Sequence, residues 1–531
     1  MKTKSRNVWA QHAARLIIVC AMLLVLFGSG GCASPPKLTA EDRRSDIDFL
    51  ARWARDCHPC VEVNEKYKGT PSYETLLPKY MKFAEEAETN EEFCLVVLHY
   101  FNIIGVSGHA YMLSDDWLEA CAVGSLLGID WGIGPRQFLR ARYWPRVAGG
   151  LSVYAHPPFR VMCKGDRYFT HDDWQYDGTT VPEGSEILKV DGMTCSDYLD
   201  FIKIDTVLKY DAFRDKADPH LMIIDEGSSF RGWQVDLRLP DGSDLSVFVA
   251  KVKGLPAPID GWPWPWNAEP AENCTCIELT GEIGYVRIRS FLPKLHGYVF
   301  KGYIRRERKK IAAFLKQAQG KYKKLIIDLR NNGGGDPVYF RDNLIAPFLD
   351  QPLTWKGTTG VKRKFLTETK RSTLRFLRKD ASVMHKHVQE VGPPDGFDGA
   401  RWVFYEITQQ VEPADRYDFD GQIYVLINDG SSSATDSYAD AVKRTGMGIL
   451  VGQNTGGTGG VSYLIPPMVR LPASGMIFRT EADLGINPDG SFNEIVGTSP
   501  DVELPPAKPP ASFTKEDLLK DEWIEHIIYE M

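Results

Sequence analysis

Twice in the second half of this chain an apolar run enters a turn of small residues and leaves it as an amphipathic helix. The run Lys324-Leu-Ile-Ile-Asp-Leu329 passes into Arg330-Asn-Asn-Gly-Gly-Gly335, with a helix starting near Pro337. The design recurs as a strand over 423–427, the turn Asn428-Asp-Gly-Ser-Ser-Ser433, a helix over 434–445, Gly446, and a further strand over 449–451. Continuous apolar strands that alternate with helices, with no hairpin signal between them, belong to parallel α/β layers. Few other architectures accommodate that order.

A chain of 531 residues is too long for one core, so several domains are expected. Residues 38–118 read as a helical segment, because Thr39 and Asp42, then Thr89 and Glu92, have the spacing of capping boxes ahead of helix-periodic apolar residues. Residues 119–255 read as mixed β, with short alternating runs and many glycines. Within them, Gly184-Ser-Glu-Ile-Leu-Lys-Val-Asp-Gly192 looks like the strand–turn segment of a PDZ domain. Residues 256–280, with Gly261-Trp-Pro-Trp-Pro-Trp266, read as a stiff linker. The α/β core is expected over 281–508. Leu518, Leu519, Trp523, Ile524, Ile527 and Ile528 suggest a closing amphipathic helix within 509–531.

Residues 1–32 read as a targeting segment. Lys2, Lys4 and Arg6 precede an apolar run over 16–27, a length suited to a signal peptide and short for a membrane span. Gly28-Ser-Gly-Gly-Cys32 then resembles a bacterial lipobox, with Ser29 where leucine is usual. Cys32 is the expected lipidation site, making the protein an exported, lipid-anchored one of a bacterial cell envelope. Ten cysteines are present; with Cys20 and Cys32 set aside, eight remain, an even number for an oxidising compartment. Cys57-His-Pro-Cys60 ends a helical stretch, which favours a local disulfide or a thiol pair over a redox motif. Cys274-Thr-Cys276 reads as a structural loop. The formal charge of −7 argues against a nucleic-acid partner, which needs a basic face. No metal-ligand cluster, P-loop or dinucleotide fingerprint is present, so no cofactor is expected.

A hydroxyl nucleophile needs an exposed oxygen, a base and donors for the developing oxyanion. Ser433, at a strand-to-helix turn, has the first of these, and the Ala434 N–H at the helix start is a natural oxyanion donor. Gly333 or Gly334 could supply a second, since glycine permits close backbone approach. Taken singly, three serines before a helix are ordinary caps.

Four ordered segments resemble the C-terminal processing (tail-specific) serine peptidases. Asp328-Leu-Arg-Asn-Asn-Gly-Gly334 looks like their D-L-R-x-N-x-G-G segment, and Asn428-Asp-Gly-Ser-Ser-Ser433-Ala-Thr-Asp-Ser-Tyr-Ala439 is similar to their nucleophile turn. Val451-Gly-Gln-Asn-Thr-Gly-Gly-Thr458-Gly resembles V-G-x-x-T-F-G-K-G, and Glu494-Ile-Val-Gly-Thr-Ser-Pro-Asp501 resembles E-G-x-G-V-x-P-D. The resemblance implies a crotonase/ClpP-like α/β protease core behind an N-terminal helical segment and a degenerate PDZ-like β domain, with Ser433 as nucleophile. Thr458 stands where the bacterial enzymes carry a general-base lysine. Lys443 is no substitute, because it falls well along the following helix. The branch resembling the tricorn core uses histidine instead, and Ser107-Gly-His109 lies at the matching place. By that likeness His109 is the base, and Glu494 assists, directly or through Ser107.

The leading expectation is therefore an exported serine peptidase acting on peptides or proteins. The alternative is a catalytically silent protein of the same fold that binds peptides or hydrophobic ligands. The sequence does not determine the oligomeric state.

Overall fold

The computed structural model describes residues 35–67, 72–104, 109–126, 131–151, 154–159, 161–164, 167–198, 224–225, 231–253, 272–293, 302–368, 384–459, 467–505, 510 and 512–531. The targeting segment with Cys32, the tryptophan-rich stretch 261–266 and Ser107 lie outside these residues.

The core is a six-stranded sheet in the order Cys274–Thr280, Ile283–Ile288, Lys324–Asp328, Gln422–Ile427, Ile449–Gly452, Val502–Glu503. The first pair is antiparallel and every later pair parallel. The strands are continuously apolar because both faces are covered. Leu325 and Ile327 meet Ile311 and Leu315 of the helix Gly302–Gln317 and Val442 of the helix Ala434–Thr445. Ile326 turns the other way, onto Trp523, Ile524 and Ile527 of the C-terminal helix Glu522–Tyr529. The core sheet thus begins at Cys274, inside the span expected to be linker. Cys274 is buried on an edge strand, not in a loop.

The segment Asp328-Leu-Arg330 binds the closing helix by charge. The Arg330 guanidinium donates to Asp328 Oδ2 at 2.7 Å and to Asp521 Oδ2 at 2.8 Å. Asp521 is itself the N-cap of that helix, accepting from the amides of Trp523 and Ile524.

Before the core stand the helices Ala40–Asp56, Tyr73–Glu86 and Asn90–Ile104. Both capping boxes form: Thr39 with Asp42, and Thr89 Oγ1 accepting from the Glu92 amide while Glu92 caps the Thr89 amide. Cys57 and Cys60 are buried thiols, not joined by a disulfide. One expectation fails here. Residues 119–151, read as β, continue the helical layer as Asp115–Leu126, Pro135–Ala141 and Tyr143–Leu151. Leu118, Cys121 and Ala122 bury one helical face, and Pro135 occupies a first helical position, where its missing N–H costs nothing. Glycine content had masked that periodicity.

The β region follows, in a sheet ordered Asp244–Ala250, Gly232–Arg238, Glu186–Val190, Arg167–Thr170, Val161–Lys164, an arrangement consistent with a PDZ-like region. A four-stranded sheet, His385–Val391, Trp402–Val411, Leu353–Lys362 and Leu484–Ile486, flanks the core.

A small three-stranded sheet joins the N-terminal layer to the core: Tyr111–Met112, Ile477–Arg479 and Met468–Arg470. The helical layer grips its hairpin. Asp46 accepts from the amides of Ala473 and Ser474 at 2.9 and 2.8 Å, Trp144 Nε1 donates to the Ser474 carbonyl, and Phe101 stacks on Phe478 at 4.2 Å.

Candidate active site

The two strand-end turns clasp each other. The Asn331 amide donates to Asn428 Oδ1 at 2.7 Å, and Asn428 Nδ2 returns a bond to Asn331 Oδ1. Ser431 Oγ donates to the Leu329 carbonyl, and the Ser432 amide to the Asn332 carbonyl. These bonds hold the glycine loop against the serine turn. A Cβ on Gly334 would stand 2.7 Å from the Ala434 nitrogen and 2.8 Å from Ser433 Cβ. Gly334 also has φ +89°, so the position demands glycine twice over.

Ser433 sits at φ 57°, ψ −124° as the N-cap of the helix Ala434–Thr445. A positive φ at a residue with a side chain is strained, and it turns the side chain outward from the sheet edge. The Ser433 amide is tied to the Gly457 carbonyl at 3.0 Å. The Ala434 amide occupies the first helical position, where no intrahelical carbonyl is available to it. The Gly334 amide already donates to Asn332 Oδ1 at 3.0 Å, which makes that glycine a packing element and leaves Ala434 and Gly333 as the expected oxyanion donors.

Ser433 Oγ lies 2.8 Å from His109 Nε2 across 324 residues of sequence. The far side of the ring meets a residue that sequence reasoning missed. His109 Nδ1 is 3.2 Å from Glu481 Oε2, and the His109 amide donates to Glu481 Oε1 at 3.0 Å. The register of the small sheet explains the meeting. Tyr111 pairs with Arg479 and Met112 with Phe478, and stepping two residues outward brings His109 opposite Glu481. His109 and Glu481 side chains are 14% and 7% exposed. An ionised carboxylate only accepts, so the Nδ1 proton faces Glu481 and the Nε2 lone pair is left for the serine hydroxyl.

Among the described residues the carboxylate that meets the imidazole is Glu481, a residue distinct from the expected Glu494. Glu494 is buried in the short helix Asn493–Val496. Its expected relay through Ser107 falls outside the described residues. Strand pairing delivers Glu481, and no local motif surrounds it. The only available signal was an acidic residue just beyond the short β run Ile477-Phe-Arg479.

Thr458 has φ 64° beside Gly457, whose carbonyl holds the Ser433 amide. Lys443 is engaged elsewhere, donating to Asp501 Oδ1 at 2.6 Å and to the Pro500 carbonyl. The surrounding loops are gathered by Asp436, in the first turn of the helix Ala434–Thr445. Its carboxylate accepts from Thr455 Oγ1, from Thr498 Oγ1 at 2.8 Å and from the Gly459 amide at 3.1 Å. Burial pushes the Asp436 pKa up, and its donors only partly offset that. Among the described residues no group of three or more His, Cys, Asp or Glu could hold a metal ion.

Comparison with curated proteins found no match. Among solved structures, mature CPAF aligns over 93% of this chain and 96% of its own, with TM-score 0.50 and 16% identity. Its complex with lactacystin aligns similarly, at TM-score 0.50 and 15% identity over 93% of this chain and 98% of that one. The photosystem II D1 C-terminal processing protease aligns over 88% of this chain and 94% of its own, with 16% identity and TM-score 0.34. At such identities the CPAF likeness speaks for the fold. Residues 282–504, which hold both strand–turn–helix segments, match the peptidase family S41 model; the protein carries a domain of that family and is a serine-type peptidase.

Proposed function

We propose that this peptidase cleaves peptide bonds with Ser433 as nucleophile, His109 as general base and Glu481 as the group that orients and charge-stabilises the imidazole. The single observation carrying this reading is the 2.8 Å approach of His109 Nε2 to Ser433 Oγ, with Glu481 behind the ring. In the first step the Ser433 hydroxyl proton passes to Nε2 as Oγ bonds to the scissile carbonyl carbon. Negative charge grows on the carbonyl oxygen, where the Ala434 amide and the glycine loop supply donors and the helix N-terminus supplies positive potential. The imidazolium, paired with Glu481, returns its proton to the leaving amine. Water then repeats the sequence on the acyl-enzyme. A base drawn from the N-terminal layer replaces the lysine that Thr458 lacks.

The test is active-site labelling with a fluorophosphonate. Wild type and Thr458→Ala label, whereas Ser433→Ala does not and His109→Ala labels at least about 10²-fold more slowly. Labelling of wild type that survives His109→Ala unchanged refutes the pairing.

The targeting segment supports a second part of the proposal, that the protein is exported and anchored through lipid on Cys32. Among the described residues no helix is long and apolar enough to cross a membrane. Metabolic labelling with a fatty acid should mark the wild type and not Cys32→Ala; equal labelling of both discards the anchor.

A further inference from the structure

The face of the small sheet that carries His109 and Glu481 carries a third functional group. Arg479 stands opposite Tyr111 and Met468 in the strand pairing. Two residues along a strand return to the same face, so Arg479 and Glu481 project alike. Toward the Leu113–Ile477 end this face is covered by the helices Asp115–Leu126 and Pro135–Ala141. Arg479 and Tyr111 lie where that cover gives way to the catalytic residues, and both are half-buried.

Among the described residues the guanidinium is held by neutral groups. It donates to Tyr111 Oη at 2.9 Å and lies over the Tyr111 and Trp117 rings, 5.7 and 5.9 Å from their centroids. Among the described residues it forms no ion pair. The stretches 105–108 and 460–466, which lead into the two outer strands, contain no Asp or Glu. Several other buried or half-buried arginines face a carboxylate. Arg330 faces Asp328 and Asp521, Arg444 faces Asp440, and Arg142 faces Asp115. A guanidinium has five donors in a planar fork suited to a carboxylate. Here the fork is oriented by aromatic faces, on the sheet face that also carries Glu481.

We propose that Arg479 is a specificity-determining residue that binds a carboxylate of the peptide substrate, about two residues from the bond cleaved. The separation follows from strand geometry, since two residues along an extended chain span about 7 Å, the offset between Arg479 and Glu481. The carboxylate can be the α-carboxylate of a chain end or the side chain of an Asp or Glu. This inference rests on the Ser433–His109 reading for the position of the scissile bond, but the binding itself is separable from catalysis.

The experiment uses the full chain carrying Ser433→Ala, which binds without turnover. Four fluorescein-labelled, alanine-rich octapeptides are compared by anisotropy: one with a free C-terminal carboxylate, one with a carboxamide, and two carboxamides bearing Asp or Asn at the third position from the end. At least one carboxylate peptide should bind about tenfold or more tightly than its neutral partner, the size expected of a charge-assisted hydrogen bond. The first pair reports a chain end and the second an acidic side chain. In Arg479→Met the ratio should fall to near one, and in Arg479→Lys it should be partly kept, which a purely structural loss of the arginine would not produce. Equal binding of charged and neutral peptides, no binding at millimolar concentration, or a ratio that survives Arg479→Met overturns the proposal. If Arg479→Met does not fold, the ratio in the Ser433→Ala parent and in Arg479→Lys still decides. Should the ratio behave as expected while wild type fails to react with a fluorophosphonate, the catalytic reading fails and the anchor stands.

Discussion

Asp328 and Asp436 are both fully buried, and each belongs to one of the two strand–turn–helix segments, yet they are held by opposite means. Burial alone would push the Asp328 carboxyl up, but the guanidinium groups of Arg330 and Arg287 outweigh it and hold its pKa below the ordinary value. Tyr285 Oη adds a hydrogen bond at 2.8 Å. Around Asp436 the donors are neutral hydroxyls and amides, no ion pair forms among the described residues, and burial leaves the pKa raised. The first corner is locked by charge and carries no reacting group. The second is gathered by neutral hydrogen bonds beside Ser433. The donors around Asp436 come from the loops that frame Ser433, so its carboxyl gathers those loops without an arginine.

The most severe way to test this contrast is Arg330→Met. It leaves Asp328 and Asp521 buried with a cation removed, and the expected loss is about 3–5 kcal/mol of stability by urea unfolding. A loss under about 1 kcal/mol would erase the distinction between the corners. Glu481→Gln addresses the chemistry instead. It should lower kcat/KM by about 10²–10³-fold with an unfolding midpoint close to wild type, since the glutamine fits the same space but holds the ring less well. A change under about threefold, set beside a large loss in Glu494→Gln, would hand the supporting role to Glu494.

Acid sharpens the comparison, because the two carboxyls have opposite signs. Asp328 has a lowered folded pKa, so its contribution is present above the unfolded value near 4 and is lost as pH falls through the folded one. Asp436 has a raised folded pKa, so its contribution is full below about 4 and is lost as pH rises through the folded value. Urea midpoints of wild type and Asp436→Asn, followed from about pH 4 to pH 7, should therefore show wild type losing ground to the variant as pH rises. A difference independent of pH contradicts the assignment. The smallest effect is expected at Thr458→Ala, where fluorophosphonate labelling should stay within about twofold, since a threonine hydroxyl cannot serve as base near neutral pH. A larger fall would give that hydroxyl a part in the site.

Some of this was legible in the chain itself. The turns at 328–335 and 428–433 announce themselves because a glycine run and a serine run must each follow a buried strand, and Leu518, Trp523 and Ile527 mark the closing helix by their spacing. Residues 119–151 read as β in the sequence yet fold as helices, since glycines and short apolar runs blur a period that packing resolves. Cys274 reads as a loop residue in the sequence because an edge strand of seven residues following a proline-rich stretch has no strong signal of its own.

What the amino-acid sequence determined alone is the corner around Ser433, where all the requirements lie within a few consecutive residues: strand, tight turn, serine, helix start. What tertiary structure alone decided is the pairing of His109 with Glu481, 372 residues apart. That contact depends on the register between a strand of two residues and a strand of three, held by Asp46, Trp144 and Phe101 against a distant hairpin. Register is a property of two segments packed together, and shifting it by one residue would turn either side chain to the opposite face.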